Sequence, residues 1–242
     1  MRKVTHMETQ TVQREFWPTI METIYPPRVR TTIDGVPVGY RIGYHGAYSS
    51  AKVVTQPEDF TALTQNVNEW FADKHGTPSL QIFDKAVART ALKRTGWLPS
   101  TISNSGLYVR MLTDSLVADE KVRVSPAHPQ DTPGKPVTGG TIVAKMYNRT
   151  GMKVIGTALG VLANVNDNPN DAIMCIRDLY VDPKQRGKGY GTMIVDALCR
   201  WGYNQGARLS VVDLLIYNHP SIQLFTSCGY TKLCEYEFWE QQ

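Results

Sequence analysis

The chain has 242 residues, 42% of them hydrophobic and 20% charged, and carries a formal net charge of +4. This length allows one large domain or an ordinary one with an extension, and this apolar content excludes wholesale disorder. No uncharged apolar run reaches the roughly 20 residues that a membrane-crossing helix needs, and so small a positive excess does not by itself call for nucleic acid.

Residues 1–50 read as an extension. Trp17-Pro18 and Pro26-Pro27 interrupt any helix there, and Asp34-Gly35 is a turn signal before a strand over 36–44. A short strand follows at 51–55. Thr55-Gln-Pro-Glu-Asp59 then opens a helix with a cap residue, an early proline and acids in the first turn. Its apolar residues Phe60, Leu63, Val67, Trp70 and Phe71 recur at helical spacing, and it stops near Gly76. A second amphipathic helix spans 81–94, and a strand spans 107–113.

Residues 119–140, with Pro126, Pro129, Pro133 and Pro136, read as a loop or flap. Two strands, 141–147 and 153–165, form a hairpin around Asn148-Arg-Thr-Gly151. A nearly continuous apolar strand over 173–181 suits a central position. A helix (189–204), a strand (209–217), a helix (219–227) and a last strand (230–239) complete the chain. No internal repeat is visible. Cys175, Cys199, Cys228 and Cys234 have neither C-x-x-C spacing nor a histidine at metal spacing, so reduced, mostly buried thiols in a cytoplasmic protein are expected, with no metal site. The start of the chain has charge but no apolar stretch of the secretory kind.

The chemistry concentrates in Leu179-Tyr-Val-Asp-Pro-Lys-Gln-Arg-Gly-Lys-Gly-Tyr-Gly-Thr192. A buried strand ends, a turn follows, and glycines open an amphipathic helix whose apolar face is Met193, Ile194, Ala197, Leu198 and Trp201. The first N–H groups of a helix lack internal partners and lie at the positive end of its dipole. Glycines let an anion approach that backbone, so the segment reads as a pyrophosphate cradle with Arg186 and Lys188 adding charge. The spacing G-x-x-x-x-G-K-[ST] of the nucleotide P-loop is absent. The dinucleotide pattern fails as well, because Thr192 stands where its third glycine belongs.

Arg186-Gly-Lys-Gly-Tyr-Gly191 instead fits R-x-x-G-x-G and resembles the coenzyme A signature of the GNAT superfamily of N-acetyltransferases. The flanks extend the likeness. Residues 171–181 resemble the family's fourth strand and 209–217 its fifth. Asn218-His-Pro-Ser-Ile-Gln-Leu-Phe-Thr-Ser-Cys-Gly-Tyr230 resembles the helix after it, and 141–165 resembles strands two and three. More loosely, 51–94 resembles the first strand and helix pair, while 1–50 and 107–140 show no likeness. The resemblance implies an α/β fold with a mixed, mostly antiparallel central sheet, splayed at the fourth and fifth strands and flanked by helices. The division it implies is an N-terminal extension, 1–50, and an acyltransferase domain, 51–242, with an insertion at about 97–140.

The resemblance further implies acetyl-CoA as co-substrate and a primary amine as acceptor, attacking the thioester directly. Cofactor contacts would come from Leu179, Tyr180 and Val181, from Arg186, Gly187, Lys188, Gly189, Tyr190, Gly191 and Thr192, and from Asn218, Ser221 and Phe225. An alkylammonium must first lose a proton, and its pKa is about 10.4. Asp178 is the candidate base, with Asp213 and Glu235 as lesser rivals; a salt bridge with Arg177 is the alternative role for Asp178. Many relatives carry a tyrosine where this chain has Phe225, so thiolate protonation falls to Tyr217, Ser227 or water, or the thiolate leaves unassisted. Two other readings stay open: a non-catalytic acyl-CoA-binding protein, and an enzyme acting on a nucleic-acid amine, the latter less favoured. A homodimer through the C-terminal strands is a further implication of the family.

Overall fold

The computed structural model describes residues 27, 29–41, 50–53, 59–74, 78–82, 85–101, 104–131, 140–164 and 172–241. The readings made for residues 1–26, including its two proline breaks, lie outside them. By compactness the chain falls into two units, one holding Leu107–Cys234 and the other Tyr25–Gly106 with Glu235–Gln242. These limits differ from the division at residue 50 expected from the sequence.

In the unit starting at Tyr25, β1 (Val29–Ile33) and β2 (Val36–Arg41) form a hairpin. Its two turn residues, Asp34 and Gly35, both have positive φ (49° and 79°), the conformation that matches the twist of a two-residue hairpin. The strand β3 (Ser50–Val53) pairs antiparallel with β2. A helix, α1 (Phe60–Phe71), leads to β4 (Ser79–Ile82), which runs parallel to β3. After α2 (Lys85–Arg94) and β5 (Trp97–Pro99), the sheet is completed from the far end of the sequence. Residues 237–241 of the last strand, β12 (Thr231–Gln241), pair antiparallel with β4 and β5.

The core of this unit is built by α1, which buries Phe60, Leu63, Val67 and Phe71 at three- and four-residue intervals against Val38, Leu80, Trp97 and Trp239. Arg89 on α2 reaches Glu237 on β12 at 2.5 Å. The sequence reading merged β4 into the second helix. A four-residue buried run carries no period that separates strand from helix.

The second unit begins with β6 (Ser105–Met111) and β7 (Val122–Pro126). It continues through β8 (Thr141–Tyr147), β9 (Val154–Asn164) and β10 (Ala172–Val181) to α3 (Tyr190–Asn204), β11 (Leu209–Leu215) and α4 (His219–Ser227). The sheet order here is β6-β11-β10-β9-β8-β7. The pairings β7–β8, β8–β9 and β9–β10 are antiparallel, and β10–β11 is parallel, joined by α3. The core gathers Met174, Ile176, Ile194, Leu198, Val212, Phe225 and Tyr230.

The segment 119–140 is not wholly a loop: β7 lies inside it and pairs with β8. Val122 is buried in the core, and Pro126 ends the strand at the sheet edge, where a missing N–H costs little. The mostly antiparallel mixed sheet flanked by helices is the fold implied by the sequence. The order hairpin, third strand, helix, parallel strand, helix occurs twice, as β1-β2-β3-α1-β4-α2 and as β8-β9-β10-α3-β11-α4. Repetition invisible in the residues is thus present in the connectivity. Among the described residues no helix is long and apolar enough to cross a membrane.

Candidate active site

The parallel pairing of β10 with β11 covers only Ile173–Ile176 against Leu209–Val212. Beyond it both strands continue, β10 to Val181 on β9 and β11 to Leu215, without pairing to each other. The sheet therefore forks. The fork coincides with a bulge in β10, where Arg177 opposes Leu159 but the next partner pair is Tyr180 with Thr157. The extra residue includes Asp178 at φ +57°, in the left-handed region that aspartate tolerates better than most residues. The bulge also changes which residues face inward. Before it Met174 and Ile176 enter the core, and after it Leu179 and Val181 pack there, leaving Asp178 exposed and Tyr180 half exposed.

Arg177 and Asp213 are the first residues past the last paired positions, and their Nε and Oδ1 atoms are shielded from solvent. Leu215 and Tyr217 lie exposed at the far end of β11. Sequence reading took Arg177 with Asp178 and Asp213 separately. One charged residue stands at the same offset in each of two apolar strands, a correspondence that appears only once the register is known.

From the end of β10 the chain enters the glycine-rich turn. Asp182 Oδ1 accepts from the Lys184 amide at 3.0 Å and caps a single 3-10 turn, Pro183–Gln185. The Arg186 Nε donates to the Val181 carbonyl at 3.1 Å, and the Lys188 Nζ donates to Gln185 Oε1 at 2.9 Å, so both cations are held at the turn while remaining exposed. Gly187 and Gly189 have φ of +76° and +77°, and no atom lies within 4 Å of where a Cβ would stand. Gly189 is the N-cap of α3 and supplies no side chain to its first N–H groups. Those donors, at Tyr190, Gly191 and Thr192, face open space through a glycine, beside two cations. That fits a pyrophosphate.

Gly191 has a second role. A Cβ there would meet Leu224 Cδ2 at 2.9 Å, so its absence lets α4 lie against the first turn of α3. The start of α4 is capped by Asn218, whose Oδ1 accepts from the Ser221 amide at 3.3 Å. Ser227 Oγ donates to the Leu224 carbonyl at 2.7 Å, a local bond that engages its proton.

Phe225 is placed differently from the pocket-lining position expected of it. Its ring is 2% exposed and meets Tyr230 edge-on, with centroids 5.1 Å apart. The alternation of the short helix α4 turns this position into the core. Tyr230 is equally buried. Its hydroxyl bonds Ser210 Oγ at 2.6 Å and Cys199 Sγ at 3.3 Å, and burial pushes its pKa well above the ordinary value. Burial also raises the thiols of Cys199 and Cys228 and lifts that of Cys175 to about 12, so none of the three is a thiolate at neutral pH.

The residues expected from the sequence therefore form two groups. Leu179–Val181, the 186–192 turn and the start of α4 lie around the fork and the open helix end, with α3 and α4 in contact at Gly191. Glu235 belongs to the other compact unit.

Residues 118–230 match the model of the acetyltransferase (GNAT) family. The match takes in everything from β7 to the end of α4 and includes residues 118–140, part of the stretch 97–140 expected as an insertion. A curated relative, the uncharacterized N-acetyltransferase YobR of Bacillus subtilis, is 26% identical over 94 residues, which are 39% of this chain and 34% of that protein. The matched stretch spans only about a third of that relative's length.

Solved structures share the fold across both units. A GCN5-related N-acetyltransferase from Kribbella flavida aligns with 96% of this chain and 95% of its own at a TM-score of 0.68 and 12% identity. A tandem GNAT protein from the clavulanic acid biosynthesis pathway aligns with 99% and 89% at 0.61 and 11%.

Proposed function

We propose that this chain is an N-acyltransferase that moves an acetyl group from acetyl-CoA to a primary amine. The observation that carries this reading is the forked sheet leading straight into an open, glycine-lined helix end. The family generally uses acyl-CoA, and the residues fit it. The α3 N–H groups with Arg186 and Lys188 would hold the pyrophosphate, and the backbone edge of Leu179–Val181 that β11 leaves unpaired would bond the amides of the pantetheine arm. Asn218 and Ser221, at the start of α4, would border it.

The amine nitrogen attacks the thioester carbon, the C–S bond breaks, and the amine's proton leaves to a base. Asp178 is our choice of base: the bulge turns its carboxylate outward beside the fork, where an incoming ammonium would meet it. Tyr217, exposed past β11, is our choice of proton donor to the departing thiolate. The full chain, incubated with acetyl-CoA and small amines, peptides and nucleic acids, should give free CoA and a mass-shifted amine. Free CoA without any acceptor product across that range, at the rate of uncatalysed hydrolysis, would overturn the assignment.

One observation favours a second reading, an acyl-CoA-binding protein without catalysis. Phe225 has no hydroxyl and points into the core, so no proton donor stands at that position. Saturable acetyl-CoA binding with no turnover in the same screen would support it.

A further inference from the structure

We infer that the unit starting at Tyr25 is a second copy of the acyltransferase topology whose phosphate-binding helix end is occupied by the protein's own carboxylate, so that the chain binds one coenzyme A. The inference rests on the reading of the α3 turn as the cofactor site. The first observation is connectivity. In both units an antiparallel hairpin and a third strand are followed by a helix, a strand parallel to the third, and another helix. By that correspondence β3 stands for β10, α1 for α3, and β4 for β11.

The second observation is what stands at each helix start. At α3 the cap is Gly189, which offers no side chain, and the turn 182–192 carries Lys184, Arg186 and Lys188 against the single acid Asp182. At α1 the cap is Asp59, whose Oδ1 accepts from the Thr61 amide at 2.7 Å. The sequence before it, Val54-Thr-Gln-Pro-Glu-Asp59, has no glycine and no cation, and it adds a second carboxylate, Glu58. A carboxylate on the helix amides uses the donors and the dipole that would otherwise attract phosphate, and it repels a dianion.

The third observation is the strand edge. The β2–β3 register runs without a shift from Val38↔Val53 to Arg41↔Ser50, and all four residues of β3 are buried. Over these four residues β3 keeps its partner, whereas β10 slips between Arg177 and Tyr180. Connectivity has been kept while the helix start carries the opposite charge.

Calorimetric titration of the full chain with CoA tests this. One site per chain is expected in the natural sequence, weakened about 100-fold in a folded Gly189→Val variant. Lys188→Glu, an exposed change that leaves packing intact, should weaken that single site at least tenfold without moving the melting temperature. Two sites in the natural sequence would overturn the inference while leaving the acyltransferase reading of the other unit standing, and a site of unchanged affinity in folded Gly189→Val would overturn its placement at α3 as well. No binding by the natural sequence would overturn both.

Discussion

The two parallel crossovers of this chain, β3-α1-β4 and β10-α3-β11, have the same succession of elements and opposite chemistry at the helix start. The first begins on Asp59 and closes its own N-terminus, whereas the second begins on Gly189 and leaves its N-terminus open. Over its described residues 50–53 the first strand keeps a regular register, and the second strand is bulged at Asp178. Topology alone therefore does not make a cofactor site. A few local decisions do: whether the cap carries a side chain, which charge flanks it, and whether the strand keeps its partner. This is the physical content of the rule that function is placed on folds rather than implied by them.

The comparison breaks most visibly at the bulge. If Asp178 takes the proton of the attacking amine, Asp178→Asn should lower kcat by about 10²–10⁴-fold. Asparagine also tolerates the left-handed backbone at φ +57°, so the bulge and the CoA affinity should survive. Steady-state kinetics beside CoA titration check this. Turnover equal to the natural sequence would return Asp178 to a structural role and leave Asp213, at the base of the fork, as the nearer carboxylate to test.

The open helix end comes next. A side chain at Gly189 would stand where the anion has to approach, and losing two charge-assisted bonds of about 1.5 kcal/mol each would weaken CoA binding about 100-fold. Gly189→Val also forces a branched residue to φ +77°, which costs roughly 1–2 kcal/mol, so the variant should melt a few degrees lower while still folding. Unchanged CoA affinity in the folded variant would remove the cradle from the site.

These two predictions rest on features that differ in how far the sequence revealed them. The turn was legible because its information is local: R-x-x-G-x-G, the preceding apolar strand and the capping Asn218 lie on one contiguous stretch. The bulge was not, because Asp178 and Leu179 opposing a single β9 residue is a property of pairing between strands. The same limit explains the rest. Strand β7 hides in a proline-rich segment since its partner β8 lies beyond those prolines, and β4 is too short to show a period. The duplicated connectivity leaves no repeat in the residues, for pairing order constrains only which positions are apolar. Phe225 was assigned to the right helix, but its orientation depends on Tyr230 and the core behind it.

Phe225 gives the third prediction. Phe225→Tyr adds a hydroxyl to a ring that is 2% exposed and packed on Tyr230. A buried hydroxyl without a partner costs about 1–3 kcal/mol, so stability should fall by that amount and turnover should not rise. Denaturant unfolding with a parallel rate assay measures both. A rise in turnover with unchanged stability would mean that the ring reaches the fork when the cofactor is bound, and would restore the position to the proton-donor role that a tyrosine there would hold.

The smallest effect belongs to the closed crossover. Asp59 satisfies one orphan amide of α1 and places a negative charge at the positive end of its dipole. Asp59→Ala removes both contributions, and an exposed cap of this kind is worth about 1 kcal/mol. Thermal unfolding should show that loss in the unit built on α1, while the affinity for CoA stays as it was, because the Gly189 site is untouched. Asp59→Asn separates the two contributions: its amide oxygen still accepts from Thr61, so stability should nearly recover even though the charge is gone. If Asp59→Asn instead opened a second CoA site, the carboxylate's charge would be what keeps the first crossover closed. If neither variant binds more CoA, the missing glycines and cations before α1 are sufficient to keep it closed, and Asp59 serves there as a helix cap alone.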